Sequence, residues 1–430
     1  MKKSLGLKEL IAIAIGGMVG GGIFTILGIS VSMVGFLAPF AIALGGIVAF
    51  FAAYAYVKLG VYYKDEGATY AFFKRTFKNS HLAASFIGWY TVFGYISTLA
   101  LYAYTFSAYI LSGGDFAHNE LIRKLVALFI IFIFALINLW SVKGMGKIED
   151  VIVYAKLTIL LIISMMLIYH TNIDYHIFLN TLSEDVKNSS LFAILTVSSV
   201  TFVAYEGFQL VINAVKDMDN PEINIPRAIY SAIVIVSSLY FIIALAAVLS
   251  IPTDDLIKNK EYALAAGAKL IMGNFGEDLV IIGAVLATSS AISGTLYGSS
   301  RQMARVADDG YLPKFLTKRK GTIPTNAIIT MALTASALVL SGGLRVILEF
   351  GSITFLLVSL LMAVANFKIR KYTNSSTLMG IITVIGLACG SVLILNYEYH
   401  KDIEQLSFIL IIYILLSIGA YSYAKFLKHS

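Results

Sequence analysis

The chain has 430 residues, 58% of them hydrophobic and 13% charged, with a mean hydropathy of +0.83 and a formal net charge of +7. A composition this apolar excludes a soluble globule. Long apolar runs between short polar loops exclude a β-barrel, whose segments would alternate over about ten residues. The chain reads as an all-α integral membrane protein of the cell membrane.

Met1-Lys2-Lys3 before an apolar run suggests a signal peptide, but the run continues without a small-residue cleavage site and reads as the first span. That span, Ala12 to Gly28, is interrupted by Gly20, Gly21 and Gly22. Each glycine costs a helix roughly 1 kcal/mol relative to alanine, so a break is expected there. Freed backbone groups cannot face hydrocarbon, which makes the break a place for protein, water or a ligand. The alternative is that Gly16/Gly20 and Gly17/Gly21 let two continuous helices pack closely.

Runs of about 20 apolar residues predict twelve helices, at 8–35 (broken), 38–62, 82–112, 122–141, 149–169, 190–216, 227–251, 277–304, 324–341, 344–367, 378–396 and 404–425. With both termini cytoplasmic, 23 of the 32 Lys and Arg fall in inner segments and 8 in outer ones. The positive-inside rule fixes that orientation and accounts for the basic balance without a nucleic-acid partner. All six prolines fall in loops or at helix starts, and the stretches 171–189 and 252–276 read as extracellular loops. Residues 1–430 read as one membrane domain. No cofactor motif is present, and the single Cys389 leaves no intramolecular disulfide.

The remaining basic residue, Lys156, lies in the fifth span with no charge within five residues on either side. Seven residues from Glu149 place it about 10 Å deep, where a charge must be paired or hydrated. It either snorkels to the interface or faces the bundle interior, where desolvation favours a proton that comes and goes. Glu206, followed by Gly207, lies at mid-depth in the sixth span and marks a second candidate break. It faces a cavity or partner, or serves helix packing alone. Thr288, Ser289, Ser290 and Ser293 share that depth in the eighth span.

The first and sixth spans are five apart, each interrupted near the midplane, and they approach their breaks from opposite sides. That pattern predicts an inverted five-helix repeat with alternating access about the paired breaks.

Four motifs together resemble the amino acid–polyamine–organocation superfamily of permeases, and within it the prokaryotic proton-coupled, broad-specificity amino-acid transporters. They are GGMVGGGIF (16–24), FVAYEGF (202–208), KDMDNPEINIPRAI (216–229) and SSAISGTLYGSSRQMARVADDGYLPKF (289–315). The resemblance covers about the first ten helices. It implies the leucine-transporter-type inverted repeat, with helices 1–5 (about 8–170) and 6–10 (about 190–367), discontinuous helices 1 and 6, and an appended pair at about 378–425. It implies a substrate site at Gly20, Gly21, Gly22 and Ile23 and at Phe202, Val203, Ala204, Tyr205 and Glu206. Amides of the glycines would take a carboxylate, carbonyls around Phe202–Glu206 would take an α-ammonium, and Phe202 would act as an aromatic gate. Lys156, with Gly16 and Ser289 or Ser290 as partners, would stand where sodium-coupled relatives hold Na⁺. Glu206 departs from the commonest pattern, which has an apolar residue before the glycine.

The implied function is secondary active amino-acid transport, coupled to protons and independent of sodium. An exchanger and a cationic amino-acid or polyamine permease remain open alternatives, and a non-transporting receptor is a remote one. Against an enzyme, the chain lacks HExxH and GxSxG, and its six histidines lie at or beyond helix ends.

Overall fold

Apolar helices with few charges satisfy their own backbone hydrogen bonds, and among the described residues every regular element is helical. The computed structural model describes residues 5–140, 145–171 and 175–429. Lys2, Lys3 and Lys143 of the expected inner basic set lie outside the described residues, as do the side chains of Lys147, His176, Lys428 and His429.

The first span is broken as expected: α1 (Leu7–Met18) ends, the chain bends through Val19–Gly21, and α2 (Gly22–Val34) resumes. Helices α3 (Ala38–Tyr63), α4 (Ala68–Thr76), α5 (His81–Ile110), α6 (Glu120–Trp140) and α7 (Met145–Tyr169) follow. After α8 (Tyr175–Asn188), the sixth span is also broken. Here α9 (Leu191–Val200) tightens into a 3-10 turn at Thr201–Tyr205, Glu206 is extended, Gly207 takes φ +125°, and α10 (Leu210–Asn213) forms the last turn. The chain continues through α11 (Pro221–Ser250), α12 (Thr253–Lys258), α13 (Ala263–Asp308), α14 (Thr325–Ser341), α15 (Leu344–Lys368), α16 (Thr377–Lys401) and α17 (Ile403–His429). Among the described residues, nine helical stretches are long and apolar enough to cross a membrane.

Three stretches read as loops carry helices. α4 lies between two spans, α8 falls within 171–189, and residues 252–276 hold α12 and the start of α13. Period and length hid them, because each is too short or too polar to register as a span, yet a connection lying against the bundle must still satisfy its backbone. In α4, Ala68, Thr69, Tyr70, Ala71, Phe72, Phe73 and Thr76 are buried, so packing holds it. α13 is interrupted at Gly273, with φ +66° and ψ −158°, which separates its first turns from the expected span. Pro226, expected at a helix start, sits inside α11, which begins at Pro221 and so gains more than a turn over the predicted boundary.

The core lies where α5 packs on α13 and α15, and where α3 packs on α11. The most apolar window of α15 is 78% buried, whereas that of α17 is 22% buried, so α17 turns most of its apolar surface outward to lipid.

Candidate functional site

The two breaks touch each other at two levels. Gly17 and Gly207 are in backbone contact: a Cβ on Gly17 would stand 2.9 Å from the Gly207 carbonyl oxygen, and one on Gly207 would stand 2.3 Å from the Gly17 carbonyl carbon. Further along, a Cβ on Gly22 would stand 2.7 Å from the Ala204 Cβ. Glycine is demanded at these positions by close approach, and at Gly207 also by its positive φ.

The first hydrogen bond of α2 runs from Thr25 N–H to the Gly21 carbonyl. The amides of Gly22 and Ile23 therefore precede the helical ladder and form its positive end. The Gly20 amide is engaged elsewhere, donating to the Met18 carbonyl at 3.0 Å. On the other break, the Val203 carbonyl accepts the Glu206 amide at 3.2 Å. Phe202 is fully buried, and the Tyr205 hydroxyl donates to the Ile42 carbonyl at 2.7 Å, which fixes that side chain against α3.

Lys156 points inward and is 1% exposed. Its Nζ donates to the Gly16 carbonyl at 3.0 Å, the Val19 carbonyl at 2.5 Å and Ser290 Oγ at 3.3 Å. The carbonyls released by the end of α1 thus receive an ammonium, and snorkelling is excluded. Ser289 lies half-buried beside Ser290 on α13.

Sequence reasoning missed Tyr240, Gln209 and Gln302. The Tyr240 hydroxyl of α11 is shared between the Met18 carbonyl at 2.9 Å and the Ala204 carbonyl at 3.2 Å, so one phenol serves both breaks. Nothing in its apolar run distinguishes it from other membrane aromatics. Gln209 Nε2 donates to Glu206 Oε2 at 2.8 Å, and its Oε1 accepts the Gly207 amide at 3.1 Å. This clamp orients the Glu206 carboxyl, whose Oε1 is buried with no partner among the described residues. A cavity of about 50 Å³ adjoins it, lined among others by Gly16, Gly17, Tyr95, Tyr102, Ser290 and Gln302. A larger cavity of about 630 Å³ lies at another end of the bundle, walled by Arg123, Lys260, Glu261, Arg345 and Lys401.

A bundle of apolar helices, two of them interrupted against each other around buried polar groups and a small cavity, is the architecture of a membrane permease for a small solute. The chain belongs to the amino acid permease family, whose sequence profile matches residues 5–421. It is therefore a multi-pass membrane transporter and not an enzyme. It is 32% identical to an uncharacterized protein of Methanocaldococcus jannaschii over 77% of this chain and 75% of that one. It is 30% identical to the inner membrane transport protein YbaT of Escherichia coli over 89% of each chain. It is 25% identical to the aromatic amino acid permease FywP of Lactococcus lactis over 87% of this chain and 86% of that one.

Proposed function

We propose that this chain is a secondary active amino-acid transporter, driven by protons and independent of sodium, with both termini cytoplasmic. In this reading it is a single domain of twelve spans. Its halves, about 8–170 and 190–367, are inverted repeats, and the pair at about 378–425 is appended.

The observation that carries the proposal is the Lys156 ammonium bonded to the Gly16 and Val19 carbonyls and to Ser290. Carbonyl oxygens at a helix break are ligands for a small cation. An ammonium among them supplies the same charge and repels Na⁺, since two unit charges 4 Å apart in a partly dry site oppose each other by about 4 kcal/mol. When Lys156 loses its proton, the charge that holds the end of α1 disappears and one donor is lost, which frees α1 to rock. Reprotonation restores the hold. Protein motion is thereby tied to proton movement.

The substrate backbone fits the two breaks by charge. The amides of Gly21, Gly22 and Ile23 suit a carboxylate, and carbonyls around Phe202–Glu206 suit an ammonium. Closure of Gly22 on Ala204 in this conformation means that admission of substrate requires the breaks to separate.

The test is uptake of a radiolabelled neutral amino acid by proteoliposomes. An inward proton gradient should drive accumulation with choline replacing sodium, and an uncoupler should abolish it. Uptake that needs Na⁺, or that is unchanged by the uncoupler, would overturn the reading.

A further inference from the structure

Two residues that line the small cavity each carry a buried polar atom without a hydrogen bond among the described residues, and the two atoms have opposite needs. Glu206 Oε1 is an acceptor with no partner, and Gln302 Nε2 is a donor with no partner, among the described residues. Both residues line the same cavity of about 50 Å³. Glu206 is 3% exposed, and Gln209 pins its other oxygen at 2.8 Å, so the carboxyl does not swing away to find a partner. Buried orphans of this kind are costly and call for an occupant.

The occupant must donate one hydrogen bond, accept another, and be small. A hydroxyl does both. Room of about 50 Å³ in this conformation holds about two or three heavy atoms, which fits a hydroxymethyl or hydroxyethyl group better than the long chain of lysine or arginine. The nearby Lys156 ammonium, bonded to Ser290 on the cavity wall, also opposes a cationic side chain. The cavity adjoins both breaks through Gly17, Glu206 and Gly207, next to the segments where the amino-acid backbone is proposed to bind.

We propose that this cavity is the side-chain subsite, and that it selects small hydroxyl-bearing amino acids, serine and threonine, through Glu206 Oε1 and Gln302 Nε2. The proposal rests on the reading of the chain as an amino-acid transporter and specifies its substrate class. Two sources can supply the hydroxyl: the substrate itself, or a resident water that stays in place whichever substrate binds.

The experiment is counterflow in proteoliposomes preloaded with unlabelled serine, with external labelled serine challenged by unlabelled competitors. Threonine against valine and serine against alanine are pairs that differ by a hydroxyl. Serine and threonine should inhibit at concentrations roughly tenfold lower than alanine and valine, as expected for a hydroxyl that pairs otherwise orphaned groups, and lysine should inhibit least. In Gln302→Leu the serine-to-alanine ratio should fall toward one, while the conservative Glu206→Gln should keep more of it than Glu206→Leu. Equal inhibition within each pair, or stronger inhibition by lysine, would overturn the proposal. So would a hydroxyl preference that survives Gln302→Leu unchanged, since other groups would then read the hydroxyl, whereas equal inhibition within each pair is the signature of a resident water. The wild-type series stands without any variant, and counterflow needs no gradient, so the result is separate from proton coupling. If no labelled amino acid enters at all, the transporter reading fails and this proposal with it.

Discussion

Lys156 Nζ lies 2.5 Å from the Val19 carbonyl oxygen, 137 positions earlier in the chain, at the point where α1 ends. The bond joins a buried charge to backbone that the broken helix left unpaired, and the Gly16 carbonyl at 3.0 Å makes a second such bond. Removing the amine orphans both carbonyls. Lys156→Ala should therefore lower stability by about 1–3 kcal/mol, the cost of leaving a buried acceptor unsatisfied. Thermal unfolding in detergent measures this, and an unchanged melting temperature would show that the carbonyls find other donors.

Tyr240 supplies the second tie. Tyr240→Phe keeps the ring against Tyr205, whose centroid is 5.3 Å away, and removes only the hydroxyl shared by Met18 and Ala204. The variant should fold, lose about 1–2 kcal/mol, and shift the rate of substrate exchange, because the phenol links the two segments proposed to move. Exchange kinetics identical to wild type would remove Tyr240 from the mechanism.

Backbone contact between the breaks predicts an asymmetry among glycines. Gly207→Ala places a Cβ against Gly17 at a φ of +125° and should cost more than about 2 kcal/mol together with loss of transport. Gly386 lies inside α16 with nothing within 4 Å of an added Cβ. Gly386→Ala should be neutral or gain up to about 1 kcal/mol. Melting temperatures of the two variants check the pair, and similar values for both would contradict the packing described.

These contacts show what was legible in the residues and what was not. The glycine run at 20–22 and the Glu206-Gly207 pair located both interruptions because backbone cost is a local property. Lys156 stands out because a lone charge in an apolar run must find a partner; the resemblance implies Gly16 and Ser289 or Ser290, and the bonds run to Gly16 and Ser290. Val19 was not named, because a carbonyl carries no sequence signature. Tyr240 and Gln302 were invisible for a related reason: their importance lies in which chain segment they reach, and that depends on how α11 and α13 cross the breaks. The helices α4, α8 and α12 were missed because short amphipathic segments do not register against runs of about 20 residues.

On the connection between spans, burial and the neighbouring Asp309 carboxylate, which accepts the Tyr70 hydroxyl at 2.7 Å, push the Tyr70 phenol well above the ordinary tyrosine value. The folded chain then retains a proton that the unfolded chain loses. Stability contributed by this group is complete below about pH 10 and declines as pH rises beyond it toward the raised folded value. Tyr70→Phe carries no proton there, so its stability should fall less steeply than that of wild type between about pH 9 and 11. Parallel slopes in a pH series of thermal unfolding would show that the phenol does not act this way.

The central claim is that a titratable amine occupies the position of a coupling cation. Proteoliposomes loaded with a pH-sensitive dye test it most directly, by recording internal acidification when amino acid is added outside without sodium. Wild type should acidify the lumen, whereas Lys156→Ala should not, although it still exchanges labelled substrate. Acidification of equal size in Lys156→Ala, or substrate entry by wild type with no proton movement, would contradict the account.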